Sequence, residues 1–138
     1  MMESIGIVVS QFNSEITGEM RTKAEQRASE LGVHVKKVIE VPGSFEIPFA
    51  TQELLEQSDI DAVVTLGTII KGGTDHDMVI GHAITEKLLD LSLKHKKPVS
   101  LGISGPNLTW QQAEKRVLEY AIRSVDSVVK VLRNRQNL

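Results

Sequence analysis

Residues 61–103 read DAVVTLGTIIKGGTDHDMVIGHAITEKLLDLSLKHKKPVSLGI. The stretch opens on a short β-branched run, Asp61 to Leu66, and passes through a loop rich in glycine and threonine. From about Asp77 the period changes: Ile80, Ala83, Ile84, Leu88 and Leu91 recur three or four apart, as on one face of a helix. That pattern stops in Lys94-His95-Lys96-Lys97, where positive charge suits a helix carboxyl end, and Pro98 begins a second apolar run ending at Ile103. Strand, helix, strand over this length predicts two parallel strands joined by a right-handed crossover.

The same alternation continues outward. Upstream, Ile5-Gly-Ile-Val-Val9 precedes a helical stripe of Ile16, Met20, Ala24, Ala28 and Leu31 that stops at Gly32. Val35 to Val41 precedes a short helix with Ser44 as N-cap, Ile47, Ala50 and Leu54 on its buried face, and Pro48 tolerated in the first turn. Downstream, Trp110, Ala113, Val117, Ala121, Val125, Val128 and Leu132 predict one long uninterrupted helix from about Thr109 to Arg133. Ile122 and Val129 widen its stripe, as in a helix that meets another subunit or is buried on more than one side. The expected fold is a three-layer α/β sandwich: a four-stranded parallel sheet, flavodoxin-like, with helices on both faces.

Composition agrees with a single domain spanning residues 1–138. Hydrophobic residues make up 41% and charged residues 25%, which excludes disordered, collagen-like and coiled-coil chains. A net charge of −2 offers no basic field for nucleic acid or an anionic membrane. The absence of cysteine excludes disulfides, thiolate catalysis and Cys-type metal sites, and suits a cytoplasmic protein. The first apolar run lacks the basic flank of a signal peptide, there is no internal repeat, and only residues 134–138 are expected to be loose.

Ligands of an open parallel sheet collect at the carboxyl ends of its strands. Four loops fall there: Ser10–Asn13, Pro42–Glu46, Gly67–Asp77 and Ser104–Leu108. Phe12 and Phe45 lie in the first two, either as stacking surfaces for a planar ligand or as core anchors. Gly72-Gly73-Thr74 ahead of a helix outlines an anion site, or else a plain surface turn. Lys71 offers a counter-charge there, while Asp75 and Asp77 oppose it or cap the helix. His76, in the same loop, is the candidate proton shuttle. His34, His82 and His95 show no zinc-ligand spacing, so no metal is expected, and no Gly-x-Ser-x-Gly elbow surrounds Ser10, Ser44 or Ser104.

Together these loops resemble the lumazine synthase family, particularly its archaeal branch. The resemblance is carried by Ser10-Gln-Phe-Asn13, Val41-Pro-Gly-Ser-Phe-Glu-Ile-Pro48, Leu66-Gly-Thr-Ile-Ile-Lys-Gly-Gly-Thr-Asp-His76 and Gln112-Ala-Glu-Lys-Arg116, and runs from the first strand to the last helix. It implies a transferase of riboflavin biosynthesis that condenses 5-amino-6-(D-ribitylamino)uracil with 3,4-dihydroxy-2-butanone 4-phosphate, without cofactor or metal. By the same resemblance, Phe12 lies against the pyrimidine, Ser44, Phe45 and Glu46 line the ribityl chain, and Thr68, Ile69 and Ile70 hold the pyrimidine edge. Gly73 and Thr74 would bind phosphate with Arg116, and His76 would move protons. Leu101 and Arg116 would arrive from the adjacent protomer of a pentamer.

The chain departs from bacterial members in carrying Leu101 where phenylalanine is frequent, Lys71 where arginine is frequent, and an uninterrupted Val117–Ser124 where a Gly-rich kink is common. Only four residues precede the first strand, so a pentamer is expected ahead of a sixty-subunit shell. The alternatives are an archaeal-type riboflavin synthase, which lacks a matching Gly-Gly-Thr-x-His loop, and a flavodoxin-like binding or receiver module. The strand-one terminus Ser10-Gln11 supplies neither the carboxylates of a receiver nor the phosphate loop of a flavodoxin.

Overall fold

The computed structural model describes residues 2–72 and 76–136. Its strands are β1 (Ser4–Ser10), β2 (His34–Val41), β3 (Ala62–Ile70) and β4 (Val99–Leu108). All pair in parallel, in the order β2-β1-β3-β4. Helices α1 (Ser14–Glu30), α4 (Trp110–Lys115) and α5 (Val117–Arg135) cover one face, while α2 (Ile47–Leu55) and α3 (His76–His95) cover the other. Strand alternation explains the two cores. Ile5, Ile7 and Val9 of β1 join Met20, Ala24, Val125 and Val128 on the α1/α5 side, whereas Val8 joins Ile47, Leu54, Ile84 and Leu88 on the other. This is the expected three-layer α/β arrangement. No helix among the described residues is long and apolar enough to cross a membrane.

The structure corrects the sequence expectations in several places. The last helical segment is two helices, divided at Arg116 (φ −102°, ψ 4°), whose N–H donates to Ala113 O at 3.1 Å and closes α4 with a tight turn. The apolar stripe keeps step across the division and no glycine or proline marks it, so periodicity alone reads straight through. A capping box starts α4: Thr109 Oγ1 accepts from the Gln112 N–H, and Gln112 Oε1 accepts from the Thr109 N–H.

The short helix after β2 is entered through a 3₁₀ turn, Ser44–Glu46, with Gly43 as its N-cap in place of Ser44. The Glu46 carboxylate accepts the Gly43 N–H at 2.9 Å. Of residues 134–138, expected to be loose, Asn134 and Arg135 are held in helix α5, while 137 and 138 lie outside the described residues. Helix α5 continues to Arg135, and Arg133 donates to Glu3 and to Leu31 O while Arg135 donates to Lys96 O. The Arg133 hydrogen bond holds the Glu3 carboxyl below its ordinary value.

β4 runs past the expected stop at Ile103. Gly105-Pro106 reads as a turn, yet the strand regains pairing at Ile70↔Leu108 after an irregularity opposite Thr68–Ile70. Gly105 is required there: its φ is +95°, and a Cβ would lie 2.2 Å from Ile69 O. Of the residues that widen the α5 stripe, Val129 is buried in the α1/α5 core and Ile122 is half-buried at the surface.

Candidate active site

The site is assembled where the four strands end. Beyond β1, the Gln11 N–H donates to Val41 O at 2.7 Å and the Phe12 N–H to Pro42 O at 2.9 Å. These bonds prolong the β1–β2 pairing into the loops and set Phe12 beside the 44–46 turn. Asn13 then takes a left-handed conformation (φ 65°) and turns the chain into α1. Phe12 and Phe45 are 71% and 70% exposed, so the core-anchor alternative fails for both, and their faces are available to a planar ligand.

A cleft of about 400 Å³ opens between these phenylalanines and the start of α3. Phe12, Gly43, Ser44 and Phe45 form one wall; Gly72, His76, Asp77 and Ile80 form the other; Thr68, Ile69 and Ile70 lie between them at the end of β3. The Ser104 hydroxyl is 2.7 Å from that of Thr68 in a buried pair, which leaves the Thr68–Ile70 backbone as the main polar edge offered by the strand. Two larger surface clefts, of about 590 and 500 Å³, lie on α5 and between the ends of α3 and α5, but neither is lined by an aromatic residue or a histidine.

His76 is exposed at the first residue of α3, on the cleft wall. Its neighbour Asp77 is buried, and its Oδ2 accepts the Asn107 N–H at 2.9 Å. One turn on, Gly81 meets the Pro106 ring so closely that a Cβ would lie 2.6 Å from Cδ. Asp77 therefore latches the start of α3 to the end of β4 and fixes where His76 is held. Glu46 anchors its own turn through Gly43.

The structure thus brings Phe12, Ser44, Phe45, Thr68, Ile69, Ile70 and His76 to one cleft. It does not bring Leu101 or Arg116 there: Leu101 is 47% exposed on the edge strand β4, and Arg116 is exposed at the α4/α5 division. Gly73 and Thr74 lie outside the described residues. Sequence reasoning missed Ile80, placed with the core stripe although it lines the cleft one turn beyond His76, and Gly43, whose neighbours drew attention instead. The four-residue spacing from His76 to Ile80 was the available signal. Among the described residues, no cluster of three or more His, Asp or Glu side chains could hold a metal ion.

Known proteins match this chain over nearly its whole length. It is 51% identical over 134 residues to 6,7-dimethyl-8-ribityllumazine synthase of Methanopyrus kandleri, covering 97% of this chain and 94% of that protein. The enzymes of the same name from Metallosphaera sedula and Methanocaldococcus jannaschii are 48% and 46% identical, covering 97% and 96% of this chain and 89% and 94% of theirs. The model of the 6,7-dimethyl-8-ribityllumazine synthase family matches residues 3–136, and with it every loop that builds the cleft: the chain belongs to that family.

Proposed function

We propose that the protein is a 6,7-dimethyl-8-ribityllumazine synthase. It joins 5-amino-6-(D-ribitylamino)uracil to 3,4-dihydroxy-2-butanone 4-phosphate, releasing phosphate and water, in riboflavin biosynthesis. The observation that carries the reading is the meeting of Phe12, Ser44-Phe45, the Thr68–Ile70 edge and His76 around one cleft in a chain of this family.

In this reading the pyrimidine stacks on Phe12 and is held at its edge by Thr68–Ile70. The ribityl chain follows Ser44, Phe45 and Glu46. Gly73 and Thr74 take the phosphate of the four-carbon substrate, with Arg116 as its cationic partner. The amine adds to the ketone, water leaves, and phosphate departs as an enol forms. His76 gives and takes protons near neutral pH, and a share of the acceleration comes from holding the two substrates side by side.

Leu101 and Arg116 lie away from this protomer's cleft, and the reading supplies them from a neighbour in a homo-oligomer, a pentamer or a multiple of it. The chain acts as one domain in the cytoplasm. Mixing the protein with both substrates and following the fluorescent lumazine tests the proposal; no product at micromolar enzyme would overturn it.

A further inference from the structure

Beneath the cleft, where β1, β3 and the 44–46 turn meet, two serine hydroxyls converge on one glycine. Ser10 is 1% exposed, and its Oγ is enclosed with no hydrogen-bond partner among the described residues. A Cβ placed on Gly67 would lie 3.0 Å from Ser10 Oγ and 3.0 Å from Ser44 Oγ, with Ile47 Cδ1 at 3.2 Å. Glycine at 67 keeps that space open between the hydroxyls. They differ in access: Ser10 is sealed beneath, whereas Ser44 is half-buried and lines the cleft.

An enclosed hydroxyl without a partner is costly, and such groups call for an explanation in the working of a site. We propose that Ser10 is a positioning residue for the ribityl chain of the uracil substrate: without a partner in the free protein, its hydroxyl turns to that of Ser44 when the substrate binds and sets the direction in which Ser44 meets a ribityl hydroxyl. A serine carries one donor and two acceptor sites. With Ser10 donating to Ser44 Oγ, the Ser44 proton is released toward the polyol, and its remaining lone pair accepts from it. The inference rests on the reading above that this chain makes lumazine and that the ribityl group follows Ser44.

Steady-state kinetics of Ser10→Ala, with each substrate varied in turn, test it. The KM for 5-amino-6-(D-ribitylamino)uracil should rise by about threefold to tenfold, the scale of one neutral hydrogen bond, with kcat and the KM of the butanone phosphate unchanged. The Tm of the free protein should hold or rise slightly, because the hydroxyl removed has no partner there. An analogue with an ethyl group in place of ribityl should bind Ser10→Ala and the parent protein equally. Ser10→Ala should add nothing to Ser44→Ala, since the first acts through the second.

An unchanged KM in an active Ser10→Ala enzyme, an equal loss of affinity for the ethyl analogue, or a Tm several degrees lower would overturn the proposal. If the parent protein forms no lumazine, the functional reading falls first and carries this inference with it, so the two failures are distinguishable.

Discussion

On the face of the sheet covered by α1 and α5, the long helices close over their core: α1 packs along α5, and Arg27 reaches Asp126 at 2.6 Å across the join. On the face covered by α2 and α3, Phe49, Val79, Leu89, Leu93 and Leu101 remain exposed around a smaller core. Leu93 is 76% exposed although it lies on a twenty-residue helix. The α1/α5 face encloses the larger core, with Leu118 and Val131 of α5 about half exposed, and the α2/α3 face leaves more apolar surface uncovered. The cleft opens on that second, less covered side, beside the turn that enters α2 and the first turn of α3.

Substitutions that treat the two faces alike should have unlike consequences. Val125→Asp, at a position with no exposure in the α1/α5 core, should cost on the order of 4 kcal/mol or more and leave little folded protein by circular dichroism. Leu93→Asp should leave circular dichroism and Tm nearly intact, while light scattering shows loss of the proposed five-fold assembly and activity falls with it. A Leu93→Asp protein that still scatters as a pentamer would remove α3 from the subunit contact.

Arg116→Ala should raise the KM of the butanone phosphate by roughly one to two decades, the scale of a lost charge-assisted hydrogen bond, and leave the uracil substrate less affected. Equal effects on both substrates would make Arg116 a surface residue. His76→Ala should lower kcat by roughly 10- to 100-fold with both substrates still bound; a parental kcat between about pH 6 and 8 would leave a purely proximity-driven enzyme.

The smallest effect belongs to the seam outside both faces. Glu3 is held below its ordinary pKa by Arg133, so its contribution to stability is complete above the unfolded carboxylate value of about 4.3 and disappears as pH falls through the lower folded value. Glu3→Gln should therefore lower Tm by on the order of a degree or two at pH 7 and by nothing at pH 2, as read by calorimetry.

The strands and the main helices were legible because β-branched runs and the helical stripes do not compete over the same residues. Legibility failed where backbone geometry changes without a change of residue type, as at Arg116, or where a turn signal sits inside a strand, as at Gly105-Pro106. At the site, the Phe12 and Phe45 positions were readable from their place at the strand ends, but their exposure depends on how the β1 and β2 loops pair. Asp77 read as a helix cap or an opposing charge because its partner, the Asn107 amide, lies thirty residues away and is backbone. Ser10 was legible as the start of a strand-end loop and as part of the Ser10-Gln-Phe-Asn13 motif, but nothing in its neighbours announces an enclosed hydroxyl.

The Asp77–Asn107 latch makes the height of the His76 side chain above the cleft a property of the edge strand. Pro106 and Asn107 touch the first turns of α3 from outside the cleft lining, so they act on His76 as a lever whose handle is remote from the cleft itself. For redesign, that separates two variables that are normally entangled. The placement of His76 is adjusted from the strand end, and the shape of the opposite cleft wall is adjusted from Phe12 to Phe45.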